Sequence, residues 1–62
     1  MSDFTSEELL ACAERESRLR ELVYPRLVEK GSMSADKAKT EVLMMVEISR
    51  ILRLAVVKER LI

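Results

Sequence analysis

The sequence predicts an all-α fold, a two-helix antiparallel hairpin that dimerises into a four-helix bundle. Three observations carry that prediction. Two long stretches, each opening on a cap residue, space their apolar residues at helical intervals. One glycine, Gly31, and one proline, Pro25, are all the chain offers to interrupt them, too few for a turn-rich β protein or a disordered chain. The run Val42-Leu43-Met44-Met45-Val46 puts apolar side chains on more sides of the second helix than one partner helix can cover.

The first helix is expected over about residues 6–30. Thr5-Ser6-Glu7-Glu8 fits a capping box, with Thr5 as N-cap and Glu8 reaching back to its amide. Phe4 and Leu9 stand in the hydrophobic-staple positions. Glu7 and Glu8 complement the positive end of the helix dipole, and Arg26 and Lys30 the negative end. Pro25 removes the amide that would bond the Glu21 carbonyl and crowds that carbonyl. Leu22, Val23, Leu27 and Val28 continue the apolar pattern across it, so the expectation is a kink rather than a stop. Gly31 follows Lys30 as the C′ residue in a left-handed conformation, opening a turn over about 31–34. Ser34 caps the second helix, with Asp36 in its first turn, and that helix is expected over about 35–60. Two long helices joined by so short a connection pack antiparallel, as one domain over residues 1–62.

At about 100° per residue, Leu9, Cys12, Ala13, Leu19, Val23 and Leu27 form one stripe on the first helix, with Leu22 on its shoulder. Ala38, Val42, Met45, Ile48, Leu52, Ala55 and Val56 form the facing stripe, which Met44, Ile51 and Ile62 widen to about half the circumference. These are the expected core and dimer-interface positions. Leu43, Val46, Leu54, Val57 and Leu61 lie further round among the charges. Leaving such side chains wet forgoes about 1.5–3 kcal/mol each, which together rivals the stability of a small domain. A chain of 62 residues is near the lower limit for an unaided core. With one cysteine and no histidine, neither an intramolecular disulfide nor a zinc site of ordinary type is to hand. Oligomerisation remains, and a two-fold dimer uses one patch twice.

Two polar residues interrupt the stripes. Folding about residues 32–33 sets Glu16 opposite Ser49. Either the two form a polar layer that fixes register, with Glu16 paired to Arg20 or to a second subunit, or Glu16 swings to the boundary and is solvated. Glu41 faces inward near Tyr24, Pro25 and Arg26. A contact from the Tyr24 hydroxyl or the Arg26 guanidinium to Glu41 would lock the kink to the second helix; the alternative is an exposed carboxylate paired with Lys37. Glu7, Glu8 and Glu14 run alongside Arg50, Arg53 and Lys58, favouring the antiparallel register and accounting for the basic cluster without nucleic acid.

Reaction chemistry finds little to work with. There is no histidine, no cysteine pair and no glycine-rich loop from which to build a catalytic site or phosphate cradle. The carboxylates fall on solvated helix faces, unsuited to general acid–base work. The expectation is a protein that is not an enzyme and takes no cofactor or metal. Eleven basic and eleven acidic residues create no net field toward nucleic acid or anionic lipid. No apolar run approaches the ~18 residues of a membrane span. The start, Met1-Ser2-Asp3-Phe4, lacks signal-peptide features, and the lone Cys12 reads as a small buried hydrophobe in a reducing cytoplasm. Gly31-Ser32-Met33-Ser34, followed by Lys37 and Lys39, loosely resembles a helix-turn-helix, but that motif needs a third packing helix and a shorter recognition helix. Protein–protein contact is left. The second helix would present Leu43, Val46 and Arg50, or its tail Leu54, Val57 and Leu61, to a groove on a partner, with Arg50 and Arg53 as polar anchors at the rim.

Val23-Tyr24-Pro25-Arg26-Leu27-Val28, then Gly31, Met33, Lys37-Ala38, Glu41-Val42 and Met45, resembles a family of small phage and prophage proteins with the signature V-Y-P-R-x-V-x-x-G-x-M-x-x-x-K-A-x-x-E-[IV]-x-x-M. Ala11-Cys12-Ala13 with Glu16 also fits. The chain departs from the pattern at Leu27, where the family often has Trp, at Ser17, where it often has an aliphatic residue, and after Arg53. The resemblance implies a phage-encoded accessory protein acting in the cytoplasm of a bacterial host. Similar dimeric helical hairpins inhibit host transcription regulators, quorum-sensing activators among them, and pilus motors. The partners it implies are a second copy and a host bacterial protein. The alternatives are a DNA-binding regulator of helix-turn-helix type and a structural subunit of a phage assembly.

Overall fold

The computed structural model describes residues 3–61; Met1, Ser2 and Ile62, the last with its expected place on the second stripe, lie outside the described residues. Two helices, α1 (Ser6–Glu29) and α2 (Ala35–Arg60), make up the fold. They fold back on each other into a rod of 48 × 18 × 18 Å.

Local chemistry sets each boundary. Thr5 Oγ1 accepts from the Glu8 amide at 3.1 Å while the Glu8 carboxylate accepts from the Thr5 amide at 3.0 Å, a complete capping box. At the other end Gly31 takes φ 78°. The Ser32 amide donates to the Leu27 carbonyl and the Gly31 amide to the Val28 carbonyl, the paired bonds of a Schellman motif. Ser34 then caps α2 by accepting from the Lys37 amide. Pro25 does not stop α1, which is assigned as one helix through it, although the Glu21 carbonyl loses its amide partner there.

The capping box makes the start of α1 sensitive to acid. Bonds from the Thr5 backbone and hydroxyl hold the Glu8 pKa below the ordinary carboxylate value, and the bond from Arg50 does the same for Glu47. A carboxylate with a depressed folded-state pKa adds stability above its unfolded pKa and loses it as pH falls through the folded value. Urea midpoints are therefore expected to be flat above the ordinary carboxylate range and to fall below it. Glu8→Gln is expected to flatten part of that decline.

The two helices meet along a seam that differs from the apolar stripe expected of α1. The inward positions of α1 are Ser6, Leu10, Ala13, Ser17, Arg20, Tyr24 and Leu27, alternating steps of four and three. Those of α2 are Ala38, Val42, Met45, Ser49, Leu52 and Val56, with the same alternation. Ala13, Leu27, Val42, Met45, Leu52 and Val56 thus lie where the sequence placed them. Leu9, Cys12, Leu19, Leu22 and Val23 lie outside the seam of the single hairpin, where all are exposed, as is Ile48 on α2. The expected burial of Cys12 is corrected accordingly.

Three cross-links accompany the inward polar seam of α1. Ser6 Oγ donates to Glu59 at 2.9 Å, Arg53 pairs with Glu14 at 3.0 Å, and Arg20 donates to the Glu41 carbonyl at 3.1 Å. Rotating α1 to bury its leucines would pull these groups apart. Small residues at Ala13 and Ser17 also let the helices approach closely.

Candidate functional site

Because the seam is fixed, the remaining side chains sort onto two edges of the hairpin. One edge is charged. Glu14 of α1 pairs there with Arg53 of α2, and Arg60 of α2 approaches Glu7 at 3.5 Å. The opposite edge carries Leu9, Cys12, Leu19 and Val23 from α1 and, by helical register, Met44, Ile48 and Ile51 from α2, all exposed.

A polar bridge closes the apolar edge over the seam. Arg20 Nε donates to Glu16 at 2.9 Å, and its Nη1 reaches both the Glu41 carbonyl and its carboxylate, the latter at 3.3 Å. The Arg20 guanidinium also stands 5.8 Å from the Tyr24 ring centroid, within cation–π range. Hydrogen bonding to Glu16 is the main reason the Arg20 pKa rises above its ordinary value, with desolvation opposing it. The Glu16–Arg20 pair is therefore as anticipated. The lock on Glu41 is corrected: Arg20 holds it, rather than the Tyr24 hydroxyl or Arg26, which is exposed. Arg26 lies on the outer face of α1, too far round to reach α2, whereas Arg20 is in the seam. The signal was present in the sequence as the four-and-three spacing through Arg20 and Tyr24, which competed with the more apolar stripe beside it. Replacing Arg20 by Ala takes the cation from two carboxylates at once and removes a second bond to the Glu41 carbonyl, which keeps its place in the helical ladder. A loss of about 1–2 kcal/mol is expected, discounting for partial exposure, read as a lower urea midpoint, with Arg20→Lys recovering only part because an ammonium cannot fork.

Ser49 sits in the seam at 5 % exposure with its hydroxyl unpaired. The expected polar layer is thus built differently. Ser49 is buried in line with Ser17, and Glu16 stands at the rim with Arg20. An unsatisfied buried hydroxyl costs about 1–3 kcal/mol.

Two depressions lie along the charged edge. Near the turn, an open depression of about 430 Å³ is lined by Tyr24, Pro25, Val28, Ala38, Val42 and Leu43, with Glu21 and Lys39 at its margin. Beside it, a groove of about 390 Å³ is lined by Glu14, Ser17, Arg18, Val46, Ser49, Arg50 and Arg53. Of the expected partner-contact residues, Leu43, Val46, Arg50 and Arg53 line these two depressions, while Leu54 and Val57 remain exposed further along α2. No helix among the described residues is long and apolar enough to cross a membrane, and no cluster of metal-ligating side chains occurs among them.

The chain has no significant match to a protein family, to a curated protein or to a solved structure. Its functional reading rests on these surfaces.

Proposed function

We propose that the protein works by protein–protein contact, as a homodimer in which two hairpins join through their apolar edges into a four-helix bundle. The observation that carries this is surface area. The chain exposes 5104 Å², whereas a compact monomer of 7.1 kDa exposes about 4,100 Å². The rod shape accounts for part of that excess, and a partner of standard size would cover ~800 Å² of it. Leu9, Leu19, Val23, Met44, Ile48 and Ile51 supply the apolar core of such an interface. The Glu16–Arg20–Glu41 bridge among them supplies a polar feature that sets register.

The charged edge, with its two depressions, is left free to engage a second protein. The resemblance of the Tyr24-Pro25-Arg26 segment to small phage proteins supports a bacterial regulator of the phage host as that target, which the dimer would bind and inhibit. Sedimentation equilibrium across a wide concentration range tests the first step. A helical dimer persisting to sub-micromolar concentration is the expected result, and a folded monomer at all concentrations would refute it.

A further inference from the structure

We propose that the two depressions on the charged edge form one bipartite docking groove for an acidic amphipathic helix of a partner protein. The proposal rests on the protein–protein reading above and specifies the partner's chemistry.

The first half is an apolar socket. Pro25, Val28, Ala38 and Val42 wall it, and small residues at Ala35 and Ala38 leave about 430 Å³ unfilled, enough for one large aliphatic or aromatic side chain. Glu21 and Lys39 at its margin are opposite charges and favour no net charge in the occupant. The second half is cationic. Arg18, Arg50 and Arg53 converge on it. Arg53 is bonded to Glu14 and Arg50 to Glu47, and Arg18 Nε reaches only the Glu14 carbonyl, pairing with no carboxylate among the described residues.

Three guanidiniums against two carboxylates leave one positive charge and many unused N–H donors, the complement of a single carboxylate. Ser49 lies beneath them in the floor, its hydroxyl buried and out of reach of a docked side chain. One surplus charge on a chain with no net charge is too little to hold a polyphosphate backbone.

The spacing is specific. The α2 residues lining the two halves centre about ten residues apart, which at 1.5 Å per residue is about 15 Å. A partner helix lying along the groove would place its apolar anchor and its acidic residue ten or eleven positions apart, three turns on one face. Docked there, it adds a further helix beside α1 and α2.

The test is selection from a displayed library of randomised, helix-constrained 16-residue peptides against the immobilised full chain. Enriched peptides are expected to carry a large apolar residue and a Glu or Asp ten or eleven positions apart. Affinity for the best peptide is expected to fall at least tenfold in Arg18→Gln/Arg50→Gln. It should fall similarly in Ala35→Phe, which fills the socket from its exposed rim. All variants are on the edge away from the proposed dimer interface, so unchanged sedimentation and circular dichroism confirm that folding is intact. Peptides lacking the acidic residue, or binding undiminished in the arginine variant, would overturn the proposal. So would a 20-base-pair DNA duplex that binds the same edge and is lost with the same arginines. A dimer that selects no peptide overturns the groove alone. A monomer that selects the expected peptides supports the groove and refutes only the dimer.

Discussion

Met45→Glu is expected to abolish the folded hairpin at 25 °C. Met45 is 8 % exposed and lies mid-seam between Val42 and Ser49. No large side chain among the described residues is wholly buried, so this seam supplies only the few kcal/mol typical of so small a core. The substitution removes about 2–3 kcal/mol of apolar burial and places an unpaired carboxylate where water is excluded, which costs several more. The one cation in the seam, Arg20, is already bonded to Glu16 and Glu41. Far-UV circular dichroism with urea titration measures the outcome. Met45→Leu, which conserves volume, should cost under about 1.5 kcal/mol. A Met45→Glu protein with wild-type helicity and a cooperative melt would contradict the seam described here.

Ile48→Glu is expected to separate the proposed dimer. Ile48 is 45 % exposed in the single hairpin, and it occupies the apolar edge three residues after Met45. In a two-fold interface each substitution acts twice. Losing about 1.5–3 kcal/mol of burial per copy weakens the dimer by about 3–6 kcal/mol, a factor of roughly a hundred to ten thousand in Kd. Leu54→Glu, at a more exposed position on the outer face of α2, should change Kd by less than tenfold. Equal sedimentation of wild type and Ile48→Glu would place any self-association on another surface.

Those two experiments probe different kinds of information. The chain's helices, their limits and their hairpin arrangement were legible in the residues, because they depend on local chemistry. Thr5 with Glu8, Gly31 after Lys30, and Ser34 ahead of an unbroken run each satisfy backbone groups within a few positions, whatever the rest of the chain does. The stripe on α2 was legible too, since its apolar residues are numerous enough that Ala38, Met45 and Val56 fall inward in any reasonable register.

The facing of α1 was not. Its residues offer two seams side by side, one of Leu9, Cys12, Leu19 and Val23, the other of Leu10, Ala13, Ser17, Arg20 and Tyr24, and hydropathy favours the first. Only the folded structure chose the second. Arg20 meets Glu41, Glu14 meets Arg53 and Ser6 meets Glu59 across spans of 21, 39 and 53 residues, which no local pattern reveals. That choice pushed the most apolar face of α1 outward, and with it decided which edge is free to meet a second chain. Cap chemistry acts between near neighbours, whereas the facing of a helix is settled by all the contacts it makes at once.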